Sequence, residues 1–186
     1  MEYRRASRSF SVEFAALGLL MTSPMHGYEI RERLAYDLGF LWRIASSQLY
    51  NVLHRLEENE WIESQTEPQP GRPSRTVYRI TPTGERAFWT WATSPVPHLR
   101  DVRVEFLAKI YFLRRLSPDR IPTLVDEEIN ALRRLNQHLQ KRHPLQSDDP
   151  AFARYALSFR RGLIEKTLAW LEEHRHPLSV PAKEER

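Results

Sequence analysis

The sequence predicts a mostly α-helical α+β chain in two parts: three helices, a β-hairpin and a fourth helix, followed by a purely helical half. Three observations predict this. Apolar residues recur at helical spacing in three stretches between residues 10 and 58. Two strand-like segments then flank the turn-rich sequence EPQPGRPS. Finally, two prolines in Ser94–Pro97 break helical continuity, so we place the domains at residues 1–94 and 95–186.

The first predicted helix carries apolar residues on two faces. A helix that is apolar on both sides is buried on both, so we expect it to contact its own domain and a second surface. It ends before Pro24, because proline disfavours helical backbone in the preceding residue. The two stripes are Val12, Ala15, Ala16, Leu19 and Leu20 on one face, and Phe10, Phe14, Leu17 and Met21 on the other.

A second helix is predicted from about His26 to Leu38, closed by Gly39 in a left-handed conformation. The third helix begins at Ser46 or Ser47, either of which can cap its first turn. Its apolar residues follow the i, i+3, i+4, i+7 pattern of a half-buried helix, which leaves the opposite side polar. These inward residues are Leu49, Val52, Leu53 and Leu56.

The hairpin is predicted from two segments of strand-forming composition, Trp61–Thr66 and Arg75–Ile80. Thr81 then offers a hydroxyl cap and Pro82 a proline at the first helical position, which together open a fourth helix. Three helices, a hairpin and a helix in this order are the arrangement of a winged helix-turn-helix.

The second half predicts three further helices that form a dimerisation domain. Residues 101–115 are apolar nearly all round, so they belong in a core or an interface. The next two helices begin near Pro118 and Pro150. The last helix carries apolar residues near heptad spacing, which is typical of helix pairing. They are Phe152, Ala156, Phe159, Leu163 and Trp170.

The polar face of the third helix and the hairpin predict a DNA-binding surface. A major groove admits one helix, and side chains that donate and accept hydrogen bonds distinguish its base edges. Gln48 and Asn51 suit adenine and Arg55 suits guanine, while hydroxyls and wing arginines bind phosphates. The predicted DNA-contacting residues are Ser46, Ser47, Gln48, Tyr50, Asn51, His54, Arg55, Arg72, Arg75 and Arg79.

Bulk charge does not carry this prediction. The net charge is +4, yet residues 1–94 hold 11 basic and 11 acidic residues, while residues 95–186 hold 17 and 13. Local placement therefore matters more than total charge. Glu57, Glu58 and Glu60 favour a rival function, a winged-helix module that docks a basic protein without specific DNA binding. An enzyme with an unfamiliar site is the other rival.

Other classes of function find little support. Absence of cysteine excludes disulfides and thiolate chemistry. Histidines pair only as His174 with His176 and His138 with His143, without the spacing of helical metal ligands, so we expect no metal. No phosphate-binding glycine loop or nucleophile motif occurs, so we expect no cofactor and no catalysis.

We also expect a cytoplasmic protein. No apolar stretch reaches the roughly 18 residues of a membrane-spanning helix. Glu13 interrupts the apolar run that follows the N-terminal arginines, and no cleavage pattern follows it, so we expect no secretory signal.

A cluster of aromatic residues surrounds the predicted domain boundary. Trp89, Trp91 and Tyr111, beside Phe88 and Phe112, are candidates to bind a small aromatic effector by stacking. The alternative, which we favour, is that they form the packed seam between the two domains, because aromatic residues at helical spacing are usually core.

Four segments resemble the PadR family of bacterial transcriptional regulators. They are HGYEI at His26–Ile30, SSQLYNVLHRLEENEWI at Ser46–Ile62, GRPSRTVYRITPTG at Gly71–Gly84 and LRDVRVEFLAKIYF at Leu99–Phe112. The resemblance implies homodimers joined through C-terminal helices, in the subgroup with a long C-terminal domain. It also implies binding of double-stranded operator DNA, with repression relieved by a phenolic or drug-like aromatic effector. Recognition helices of such a dimer lie about 34 Å apart.

The chain departs from the family pattern at two places. Asn51 stands where the family usually has proline, so the operator sequence cannot be transferred. Asn59-Glu60 stands where the family usually has glycine before the wing. We expect Asn59 to adopt the left-handed conformation there, as asparagine does more readily than most residues.

Overall fold

The computed structural model describes residues 3–41, 45–69, 72–142 and 148–178, with side chains from residue 12 onward except 68, 69, 72–74 and 177. Besides its α-helices and strands, it contains a π-helical turn at Val102–Phe106 and a 3₁₀ turn at Pro118–Arg120. The helices are α1 (Tyr3–Leu20), α2 (Gly27–Leu38), α3 (Ser46–Glu58), α4 (Pro82–Ala92), α5 (Leu99–Asp101), α6 (Leu107–Leu116), α7 (Ile121–Gln140) and α8 (Pro150–Leu178). The strands are β1 (Met25–His26), β2 (Ile62–Gln69) and β3 (Arg72–Ile80).

The chain folds into two compact units. The first comprises Met1–Thr93 with Asp101–Phe112, and the second comprises Ser94–Arg100 with Leu113–Arg186. Segment 101–112, which the sequence analysis assigned to the second domain, therefore packs within the first unit. Its apolar surface explains this. Phe112 meets the Phe88 ring of α4 edge-on at 5.8 Å and lies directly against Gly18 of α1.

The first unit is a winged helix-turn-helix, which confirms the predicted fold class. Helices α1, α2 and α3 precede an antiparallel sheet of strand order β1-β3-β2. Met25 pairs with Tyr78 and Ile62 pairs with Ile80. Thr81 caps α4 as predicted, because its hydroxyl accepts a hydrogen bond from the Gly84 amide at 3.1 Å, and Pro82 follows at the first helical position.

Both apolar faces of α1 are buried inside the first unit over the part whose side chains are described. Phe14 stacks on Trp91 of α4 with ring centroids 5.1 Å apart, and it also contacts Trp61. Leu17, on the same stripe, is fully buried. The second surface expected for this helix is therefore α4 and segment 101–112 for these residues. The Phe10 side chain lies outside the described residues.

Three local predictions at helix ends are wrong. The N-cap of α3 is Ala45, so Ser46 occupies the first helical position instead of capping it. Gly39 keeps right-handed helical angles (φ −62°). The left-handed residue after α3 is Glu60 (φ 57°), whereas Asn59 has φ −84°.

Glu60 takes this conformation because the end of α3 is a Schellman motif. The Trp61 amide donates to the Leu56 carbonyl at 2.9 Å, and the Glu60 amide donates to the Glu57 carbonyl at 2.9 Å. The C-cap of α3 is Asn59, and a Schellman motif requires positive φ at the residue that follows the C-cap. That residue is Glu60, so its position, and not its amino-acid type, gives it the left-handed conformation.

The second unit is helical, with α7 and α8 packed along each other. Among the described side chains of α8, Ile164 and Leu171 are buried, and they face α7. The Val96 amide donates to Glu128 of α7 at 2.6 Å, which ties the segment before α5 to this unit. Most of the near-heptad residues of α8 are exposed instead: Phe152 (67%), Phe159 (69%), Leu163 (44%) and Trp170 (37%).

Glu60→Gly is expected to stabilise the first unit by about 1 kcal/mol, because a residue with a Cβ pays roughly that amount in the left-handed region. Urea denaturation checks this through the midpoint. Asn59→Gly is the control, since its negative φ gains nothing from glycine. Equal midpoints for Glu60→Gly and the unchanged protein would contradict the assignment.

Candidate nucleic-acid interface

Helix α3 presents a polar face because its apolar stripe is fully buried. Leu49, Val52, Leu53 and Leu56 are at most 1% exposed. At roughly 100° per residue, the side opposite this stripe is formed by polar residues spaced three or four positions apart. It consists of Ser47, Asn51, His54 and Glu58, flanked by Gln48 and by Tyr50, which is 51% exposed.

The first turn of α3 lies beside a basic residue of α2. Arg31 donates from its NH1 to the Ser46 Oγ at 3.3 Å. No side-chain hydrogen bond caps this helix end, whose partial positive charge favours anions. The sequence analysis missed Arg31, because its RERL segment has the pattern of an ordinary solvated helix face and nothing in the sequence shows that it lies beside Ser46.

Arg55 is placed differently from the prediction. Its Nε and NH2 both lie 2.8 Å from Glu13 Oε1 of α1, and the Glu13 side chain is only 12% exposed. The guanidinium therefore holds α3 to α1 and does not extend along the Asn51 face. His54 is exposed and lies 3.7 Å from Glu58.

The register of the wing places acids across from two of its arginines. Arg75 pairs with Glu67, and Arg79 pairs with Glu63. Arg79 is the penultimate residue of β3, seven residues beyond Arg72, so it lies at the base of the hairpin rather than at its tip. The predicted tip residues Pro70 and Gly71 and the Arg72 side chain lie outside the described residues.

An aromatic cluster joins the wing base to α2 and α3. The Arg75 guanidinium lies 5.6 Å from the centroid of the Tyr28 ring, and Tyr28 stacks on His26 at 5.6 Å. The His26 Nδ1 lies 3.1 Å from the Thr76 carbonyl oxygen. A Cβ on Gly27 would come within 3.0 Å of the Tyr50 ring. Sequence reasoning missed Tyr28, although the HGYEI motif contained it.

Acidic charge within α3 is confined to its C-terminal end, at Glu57 and Glu58. The Glu57 carboxylate lies close enough to Tyr78 to affect it: burial raises the pKa of the Tyr78 phenol, and Glu57 and Tyr50 add to the shift, so this hydroxyl stays neutral near pH 7. Ser46 and Ser47, at the other end of the helix, are exposed beside Arg31. The end of α3 that enters a groove in helix-turn-helix docking is thus the end without acids.

The predicted effector residues surround a packed core in the first unit. Trp91 is 5% exposed and donates from Nε1 to Glu105 at 3.0 Å. Lys109, itself buried, lies 3.1 Å from Glu105 and 5.3 Å from the Trp91 ring. Stacking a ligand on Trp91 would require its neighbours to move. The other two candidates are half-buried and meet neighbouring rings edge-on: Trp89 against Phe88, and Tyr111 against Phe112.

The described parts of the chain also bear on metal sites and membrane spans. No group of three or more histidine, aspartate or glutamate side chains is placed to hold a metal ion there. No described helix is long and apolar enough to cross a membrane. His143, one of the histidines considered from the sequence, lies outside the described residues.

Arg55→Ala is expected to lower the free energy of unfolding by about 1–3 kcal/mol, since it removes two charge-assisted hydrogen bonds at a partly buried site. A double-mutant cycle with Glu13→Gln, read by urea denaturation, should give a coupling near 1 kcal/mol. His54→Ala is the control and should change stability little. A stable Arg55→Ala variant with altered base preference would contradict this assignment.

Comparison with known proteins agrees with this architecture. Residues 16–89 match the model of the transcriptional regulator PadR-like family. The negative transcriptional regulator PadR of Bacillus subtilis (strain 168) is 26% identical over 170 residues, which cover 87% of this chain and 93% of that protein.

Two solved structures of the Bacillus subtilis protein are also similar to this chain. Its complex with operator DNA has a TM-score of 0.45 at 24% identity, covering 89% of this chain and 98% of that one. Its complex with p-coumaric acid has a TM-score of 0.42 at 24% identity, covering 90% and 98%. The family match and the near full-length relative confirm the resemblance seen in the motifs. The matched segment, residues 16–89, is a domain of the PadR-like family of transcriptional regulators.

Proposed function

We propose that the protein represses transcription by binding a specific, roughly palindromic operator as a homodimer. The observation that carries this is the exposed polar face of α3, whose first turn is free of acids and lies beside Arg31. The Bacillus relative is itself a negative regulator and has been crystallised with operator DNA. Binding to chromosomal DNA would place its work in the cytoplasm, and we propose no catalytic activity.

Base recognition falls to the middle of the exposed face of α3. The amides of Gln48 and Asn51 each offer a donor and an acceptor, which match the adenine edge in the major groove. Ser47 and His54 lie on the same face and can bond bases or phosphates. Asn51 is central to this face, so it is the residue most able to give this regulator its own operator sequence.

The residues around the exposed polar face of α3 contact phosphates. Arg31 and Ser46 lie at the start of α3, and Tyr50 lies between α3 and the start of α2. Arg75 extends this set to the middle of β3 through its contact with Tyr28. Arg72 and Arg79 remain proposed backbone contacts, with Arg79 at the base of the hairpin.

Dimerisation is assigned to the exposed face of α8. Phe152, Tyr155, Phe159, Leu163 and Trp170 recur every three, four or seven residues, which puts them on one stripe of the helix. The stripe lies roughly 110° from Ile164 and Leu171, the residues that face α7. Exposed aromatic stripes of this kind mark surfaces that pair with a partner. A second copy would bury the stripe and bring two recognition helices onto one operator.

A small aromatic effector is the proposed release signal. The Bacillus relative has been crystallised with p-coumaric acid, and the aromatic cluster of Trp89, Trp91 and Tyr111 is where stacking groups concentrate in the first unit. Because Trp91 is packed against Phe14 and Lys109, binding there would couple ligand entry to rearrangement of the core beside α1.

Two substitutions separate base recognition from phosphate binding in gel-shift titrations with DNA from upstream of the gene. Asn51→Ala should weaken operator binding by roughly tenfold while leaving non-specific affinity unchanged. Arg31→Ala should weaken both equally and reduce the slope of log affinity against log salt by about 1.

The control is Asn130→Ala, which removes an exposed amide from α7 and should change neither affinity. An absence of specific, salt-dependent binding by the unchanged protein would refute the proposal. It would favour the protein-interaction module, in which the acidic end of α3 docks a basic partner.

Phe159→Glu should convert the dimer to a monomer in sedimentation analysis, because each copy would bury an unpaired carboxylate in the paired stripe. Operator affinity should fall with it. Ser158→Glu, one residue away on a different side of α8, is the matched control and should remain dimeric. A Phe159→Glu variant that sediments as a dimer would contradict the assignment to α8.

A further inference from the structure

The second unit contains a groove that the proposed DNA-binding function does not use. It lies between the C-terminal end of α7 and the first half of α8 and has a volume of about 460 Å³. Cavities of this size are in the range that accommodates small molecules. Residues of α8 that line it, Arg154, Ser158, Arg161 and Glu165, recur every three or four positions and so form one side of the helix.

The charge of the groove is strongly unbalanced. Three guanidinium groups, those of Arg142, Arg154 and Arg161, line it together with a single carboxylate, that of Glu165. The Arg161 NH2 lies 3.9 Å from Glu165 Oε1, which is beyond hydrogen-bond distance. The Arg161 Nε is buried and has no acceptor among the described residues. Donor capacity is thus unfilled at this site, within the half of the chain that carries the whole excess of positive charge.

The floor of the groove is apolar and open. Leu139 is 3% exposed, and Leu157 is half-buried beside it. At Gly162 an added Cβ would meet no atom within 4 Å, so the groove has free space along this part of α8. An apolar body can therefore lie against the leucines while an anionic group reaches the arginines.

The groove is separate from the aromatic stripe assigned to dimerisation. At roughly 100° per residue, its α8 residues centre more than 120° around the helix from Phe159 and Trp170. Ile164 and Leu171, which face α7, lie between the two along the longer arc, and Gly162 lies between them along the shorter one. Pairing through the stripe would leave the groove accessible.

We propose that this α7–α8 groove binds a small organic anion, a carboxylate or phosphate monoester that carries an apolar group. Arginine is the side chain best suited to such ligands, because its planar fork donates two parallel hydrogen bonds to a carboxylate or phosphate. Leu139 and Leu157 select for the apolar group. The proposal does not depend on operator binding, and its test uses no DNA.

Calorimetric titration of the full-length protein tests this proposal. Phenyl phosphate and phenylacetate are the two test ligands, and they distinguish a phosphate monoester from a carboxylate. Phenol, which has no anionic group, and inorganic phosphate, which has no apolar group, are the controls. Saturable binding is expected for at least one of the first two probes, at least tenfold tighter than for phenol or inorganic phosphate. Absence of saturable binding, or equal affinity for inorganic phosphate, would overturn the proposal.

Substitutions locate the binding. Arg154→Ala and Arg161→Ala should each reduce affinity tenfold or more, and Gly162→Leu should block the groove while raising helix propensity. The matched control is Arg160→Ala, which removes an exposed arginine of α8 that does not line the groove, and it should bind as the unchanged protein does. Circular dichroism establishes that each variant is folded. Equal losses in Arg160→Ala and Arg161→Ala would reject the site, as would unchanged binding in Gly162→Leu.

Discussion

Burial of one side of α3 is the constraint on which the rest of the first unit depends. Leu49, Val52, Leu53 and Leu56 each contribute about 1.5–3 kcal/mol when removed from water. Because α-helical geometry is rigid, fixing this stripe inward also fixes which residues point outward. The Glu13–Arg55 pair adds a polar link between α1 and α3 on the flank of the same contact. Packing of the apolar stripe in the core therefore determines which residues form the exposed polar face of α3.

The same core explains why segment 101–112 packs with the first unit. Phe14, Phe88, Trp91 and Phe112 form a continuous set of ring contacts, and Gly18 leaves room for the Phe112 ring against α1. Lys109 and Glu105 are buried beside Trp91 as a hydrogen-bonded pair, which is how a charged group becomes tolerable in an apolar surrounding.

Sequence patterns predicted what periodicity controls. The apolar stripe of α3, the hairpin, the Thr81 cap and the helical second half were all expected from spacing and turn chemistry, and the structure confirms them. Contacts with distant partners and the geometry of helix ends were beyond the reach of these patterns. The contact between Arg55 and Glu13 could not be predicted from spacing, because the two residues lie 42 positions apart. The choice between Asn59 and Glu60 depended on the residue at which α3 ends, which sequence spacing fixes only to within one or two residues.

The central claim is that two α3 helices of one dimer enter successive major grooves of an operator. Guanine-methylation interference with the full-length protein and DNA from upstream of its gene tests this most directly, because methylation at N7 blocks contacts in the major groove. The account predicts two interfering clusters about 34 Å apart on one face of the duplex. A single cluster, or interference indistinguishable from that on unrelated DNA, would contradict it.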